Sequence, residues 1–131
     1  MNNKERFKKE IQGYVEEGLV RDVFDNEEFT ITCIADSAYC IYFHDEVDSV
    51  TGLTWGFYLK NKEFEKFMED PTVEHFKWLS FECYKRRENR TVLFTPKVAQ
   101  KFREIKADLD NQNKTKVDLE LEQKLVNEAR E

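Results

Sequence analysis

The chain has 131 residues, a net charge of −6, and only four glycines and two prolines. That length suits one domain with its own core, and the scarcity of Gly and Pro excludes collagen-like repeats and long flexible linkers. No apolar run reaches bilayer length, and the charged stretch from Met1 to Glu10 lacks the apolar segment of a secretory signal.

In chain order, Phe7, Ile11, Tyr14 and Val15 recur at helical spacing among charged residues, predicting an amphipathic helix over 4–17 that Gly18 closes. Leu19, Val20, Val23 and Phe24 fit either a further helical turn or an extended lead-in. The period then becomes two. Phe29, Ile31 and Cys33 alternate with Thr30 and Thr32; Tyr39, Ile41 and Phe43 share one face of 38–44; Leu53, Trp55, Phe57 and Leu59 alternate with Thr54, Gly56, Tyr58 and Lys60. Three such runs with short links read as an antiparallel meander.

Asn61 is read as the N-cap of a short helix carrying Phe64, Phe67 and Met68, stopped at Asp70 and Pro71. Residues 72–78 are ambiguous. Leu79, Phe81 and Cys83 alternate with Ser80, Glu82 and Tyr84 as a strand does, with Glu88 and Asn89 as the turn and Thr91 to Phe94 as the hairpin partner. Thr95 then caps a long helix with Pro96 first and Val98, Phe102, Ile105 and Leu109 on one face. Asn111, Gln112 and Asn113 interrupt it, and the charged remainder fits a docked helix, an arm or a frayed end.

The expected fold is therefore α+β in the order α-β-β-β-α-β-β-α: a single five-stranded antiparallel sheet, a three-strand meander plus a hairpin, with helices mainly on one face. Residues 1–110 form the domain, and 111–131 a helical extension or tail.

Chemistry-bearing motifs are sparse. Cys33, Cys40 and Cys83 show no metal or redox spacing and sit in apolar surroundings, where a reduced thiol acts as a small hydrophobe. His44 with Asp45, Glu46 and Asp48 offers imidazole and carboxylates, but its spacing matches no cation loop or zinc signature, so no metal is assigned. His75 beside Glu74 is a weak acid/base pair, since adjacent residues diverge on a helix or strand. No glycine-rich phosphate loop or nucleophile elbow is present, so no cofactor and no catalysis are expected. Trp55 and Trp78 are read as core.

Charge carries the functional reading. Residues 25–59 contain no Lys or Arg. Glu27, Glu28, Asp36, Asp45, Glu46 and Asp48 fall there, and a one-sign cluster repels itself unless a partner compensates. The expectation is a small acidic, non-enzymatic cytoplasmic protein that lays this face on a basic surface of a larger protein, which would itself handle nucleic acid. It would act as an inhibitor or antagonist of the phage anti-defence or immunity-protein kind. The opposing feature is a basic hairpin, with Lys85, Arg86, Arg87 and Arg90 beside Tyr84. Such a tip meets either the protein's own acidic region, in this molecule or in a second copy, or a nucleotide or nucleic acid, in which case a pocket forms beside Tyr84. The acidic pI and lack of a nucleic-acid motif put that second use behind. The element order over roughly 4–110 also resembles that of the small acidic secretion chaperones, which implies a dimeric adaptor offering apolar patches to a client.

Overall fold

The computed structural model describes residues 2–112. Helix α1 (Asn3–Glu16) begins where the Asn2 side chain accepts the backbone N–H of Glu5, satisfying one of the free amides of the first turn. It ends at Gly18, whose φ of +81° turns the chain back, while Gly18 N–H bonds Val15 O and Leu19 N–H bonds Tyr14 O. That pair of bonds is a Schellman closure, and it needs the left-handed residue that glycine supplies without strain.

Strands β1 (Val20–Asp25), β2 (Phe29–Ile34), β3 (Ala38–Val47) and β4 (Thr54–Leu59) follow. Helices α2 (Asn61–Phe67) and α3 (Val73–Lys85) then lead to the short strand β5 (Thr91–Leu93). Helix α4 occupies 96–112, capped as expected by Thr95, whose hydroxyl accepts the Val98 N–H. The fold is α+β, and its sheet has five antiparallel strands in the order β1-β2-β3-β4-β5, so each pairs with its sequence neighbour.

Three expectations change at the level of residues. The run 79–84 is not a strand but the second half of α3, so no hairpin spans 79–94. Thr72 accepts the His75 N–H to start the helix, and Leu79 and Cys83, four residues apart, are buried. That spacing satisfies period two and period 3.6 alike. Phe81 decides between them, because it is 57% exposed where a strand would have placed it beside its neighbours. The fifth strand is instead β1, in which a register shift between Asp22 and Phe24 disrupts the alternation that would have marked it. Asn61, read as a cap, is the first residue of α2; Lys60 precedes it, with its N–H held by the Glu63 carboxylate.

The helices also cover both faces of the sheet, not mainly one. Phe7 and Ile11 of α1 and Ala99 and Phe102 of α4 pack on Val20, Ile34, Cys40 and Tyr42. On the opposite face, Phe67 of α2 and Leu79 and Cys83 of α3 pack on Phe29, Ile31, Ile41, Phe57 and Leu59. Every residue of β2 is buried, including Thr30 and Thr32, which the alternation had suggested faced water. Helix α4 includes Asn111 and Gln112, the first two residues of the predicted interruption; Asn113 lies outside the described residues. The rest of the predicted tail lies outside the described residues.

A polar seam lies beneath α1. Arg6 donates to the carbonyl of His44 and to the Thr54 hydroxyl, both at 3.0 Å, and to Glu10 at 3.2 Å. Glu10 in turn accepts the Thr54 hydroxyl at 3.0 Å and the Thr54 N–H at 3.1 Å. Beside it, the Thr30 hydroxyl donates to Asp25 and contacts His44 Nε2, each at 2.8 Å. Among the described residues no buried side-chain polar atom lacks a partner, as buried polar groups require.

Candidate functional site

The acidic residues do not gather on one face. Asp36 sits in the β2–β3 turn, at the end of the sheet opposite the loops that hold Glu27, Glu28 and Asp48, because successive antiparallel connections alternate ends. Arg21 meets Asp36 at 3.6 Å, and Lys4 meets Glu27 at 3.7 Å. Asp45 accepts from the Asn3 amide. Asp48 closes its own loop through Thr51, whose backbone and side-chain donors hold that carboxyl below its ordinary range. Lys8 bridges Asp22 and Asp25. Burial opposes ionisation of Asp25, but hydrogen bonds from Lys8 and Thr30 hold its carboxyl below the usual value. Of the predicted acidic face, Glu28, Asp45, Glu46 and Asp48 have no ion pair among the described residues, and Glu46 lines a cleft on the α3 side.

The predicted basic group is gathered, though as the C-terminal end of α3 and the α3–β5 loop rather than a hairpin tip. Arg90 is buried, its guanidinium spent on Glu63 at 2.9 Å, on Glu88 at 2.6 Å and on the Tyr58 carbonyl. Glu63 and Glu88 raise Arg90 further above its ordinary range, and Arg90 holds Glu88 below its own. Arg86 pairs with Glu88 at 3.3 Å, and Lys85 with Glu82 at 2.9 Å. Arg87 has no ion pair among the described residues and adopts a left-handed φ of +58°. It is the αL residue of a second Schellman closure, with Arg87 N–H on Tyr84 O and Glu88 N–H on Cys83 O.

A pocket does form beside Tyr84. Helices α2 and α3 cover the middle of the sheet and leave the β4–β5 corner open. One hollow of about 500 Å³ there is lined by Phe43, Trp55, Phe57, Phe76, Lys77 and Ser80 among others. A second, of about 610 Å³, is lined by Tyr84, Lys85, Arg87 and Arg90, and shares Phe57, Ser80 and Thr91 with the first. The two form one furrow along α3, aromatic at the Trp55 end and cationic at the Arg87 end. Outside it, α3 presents Trp78 and Phe81 at 52% and 57% exposure, next to Tyr84 of the furrow wall at 76%, with Lys66 and Lys85 ammonium groups 5.7 and 5.3 Å from the Trp78 and Phe81 rings.

No protein-family model matches this chain, and neither does any curated protein or solved structure.

The other candidate chemistry is occupied or shielded. His44 is buried; its Nδ1 faces the Glu27 carbonyl, which only accepts, so this nitrogen carries hydrogen. His75 Nδ1 contacts the Asp70 carbonyl at 2.9 Å, and its ring stacks on Phe67. Burial pushes the Cys40 thiol up to about 12 and raises Cys33 as well, which leaves little thiolate for nucleophilic attack. Among the described residues no group of three or more His, Cys, Asp or Glu side chains is placed to hold a metal ion, and no helix is long and apolar enough to cross a membrane.

Sequence reasoning missed the aromatic half of this site. Trp55 in the furrow and Trp78 outside it, both read as core, are 38% and 52% exposed. A helical reading of 73–85 would have found part of it, since it sends Trp78, Phe81 and Lys85 outward together.

Proposed function

We propose that this protein acts by binding rather than by catalysis, and that a protein partner docks in the furrow between α3 and the β4–β5 corner. The observation that carries this reading is the exposure of three aromatic rings on one helix beside an aromatic-lined furrow, in a domain whose buried apolar side chains fill two cores. Contiguous exposed aromatic surface costs solubility and marks contact surfaces, where Trp, Tyr and Phe are enriched. The three free, buried thiols fit a reducing compartment such as the cytoplasm. An antagonist that docks through an acidic meander has less support, because Asp36 stands at the far end of the sheet and Lys4 and Arg21 already meet two of its carboxylates.

The test is selection of peptides from a random displayed library on the full chain, followed by binding to Lys77→Glu and Tyr84→Ser variants whose circular dichroism matches the parent. Selected peptides should lose at least about tenfold in affinity for both variants, in keeping with loss of an interface anchor. Equal affinity for parent and variants would refute docking in the furrow.

A further inference from the structure

The furrow has a polarity, and polarity specifies a ligand. Resting on the reading above, we infer that it takes an extended peptide segment carrying one apolar anchor and, four to five residues away, a pair of carboxylates.

The apolar half supplies the first requirement. Phe43, Trp55, Phe57 and Phe76 form its walls, and its volume of about 500 Å³ accommodates a large apolar side chain with its backbone. Glu46 and Lys77 are the charged residues that line this half, and they offset one another.

The second requirement follows from the other end. Lys85, Arg87 and Arg90 line it with one carboxylate, Glu88. Arg90 is committed to Glu63 and Glu88, so the anion falls to Arg87, which has no ion pair among the described residues, and to Lys85, whose solvent-exposed pair with Glu82 is weak. Charge complementarity therefore calls for an acidic segment, the reverse of the basic partner that the composition suggested.

Spacing comes from the helix that forms one wall. From Lys77 in the apolar half to Lys85 at the cationic end is eight residues of rise, about 12 Å at 1.5 Å each, and Arg87 follows in the turn that closes the helix. An extended peptide covers that rise and the turn in about four to five residues at 3.3 Å each. A single-stranded nucleic acid fits less well, since it requires cations in series along the strand, whereas every lining cation but Lys77 clusters at one end and Glu46 and Glu88 stand in the path.

The experiment uses fluorescently labelled Gly-Ser peptides with one Phe or Leu anchor and two glutamates placed about two, four to five, or eight positions away, in both chain directions. Binding to the full chain is followed by anisotropy at low and moderate salt. The four-to-five spacing should bind at least about tenfold more tightly than the others and lose most of that margin when the glutamates become glutamines. Arg87→Gly is the key variant, because its left-handed backbone suits glycine and the fold is retained; Lys85→Gln is the second. Both should weaken the acidic peptide about tenfold and leave the glutamine peptide unchanged.

Binding that ignores spacing, or that survives glutamine replacement, overturns the inference while the docking reading stands, provided Tyr84→Ser still abolishes it. An oligothymidylate that displaces the peptide and binds more tightly overturns it in favour of nucleic acid. Failure of every peptide to bind, or binding untouched by Tyr84→Ser, removes both the inference and the reading beneath it.

Discussion

Gly56→Ala adds one methyl group to β4, and the structure fixes where it goes. Gly56 pairs with Tyr42 across the β3–β4 ladder, and a Cβ at that position would lie 2.6 Å from both Cys40 Sγ and Tyr42 Cε1. Neither neighbour has room to retreat, because Cys40 and Tyr42 are buried in the core beneath α1 and α4. The Tyr42 ring lies across the glycine and covers the backbone that lacks a side chain, the cross-strand arrangement that makes glycine tolerable in a strand. Overpacking of this kind costs about 1–3 kcal/mol, and two contacts so short place it near the upper end. Reduced freedom of the unfolded chain returns about 0.4–1 kcal/mol. The net expectation is a loss of about 2 kcal/mol, or roughly 6–10 °C in Tm for a chain of this size. The same change at Gly13, in mid-helix on α1 with nothing within 4 Å of the added atom, should gain about 0.5–1 kcal/mol. Urea unfolding followed by far-UV circular dichroism measures both. If Gly56→Ala proves as stable as the parent, the Tyr42–Gly56 register is wrong, and with it the placement of β4 that shapes the furrow.

Two further outcomes follow from the polar seam. Thr54→Val keeps the shape of a fully buried residue but removes the hydroxyl that links Arg6 to Glu10, and urea unfolding should show a loss of about 1–2 kcal/mol; no loss would mean that the seam is not formed. Asp25 titrates below its ordinary value of 3.8 in the folded state, so its stabilisation is present above that pH and is lost as pH falls through the lower folded value. Urea midpoints of the parent and Asp25→Asn should therefore differ at pH 7 and converge as the pH falls below the ordinary carboxyl value; a constant gap would show that Asp25 gains nothing from ionisation.

The elements legible in the sequence are those whose periodicity had one solution. Phe7 and Ile11 could only be the buried stripe of a helix, and Gly18 its stop; Tyr39, Ile41 and Phe43 alternate cleanly because β3 is central. Residues 79–83 were misread because Leu79 and Cys83 obey both periods, and only solvent at Phe81 distinguishes them. Coverage of the second face was hidden for a related reason. Thr30, Thr32, His44 and Thr54 are polar yet fully buried, and what makes that possible is a set of partners from β1, α1 and neighbouring strands that no local window contains. The basic cluster was visible as charge, but its division into Arg90, which holds loops together, and Arg87, which does not, depends on Glu63 arriving from α2.

The bonds beneath α1 also set where that helix can rest. An apolar stripe alone would let it slide along the sheet at modest expense, one layer of side chains replacing another. Arg6 and Glu10 forbid this: a shift of one turn, about 5.4 Å, would carry both charges away from Thr54 and the His44 carbonyl and leave them shielded from water and unmatched. The helix thus has a single seat, and the sheet beneath it is held in one curvature.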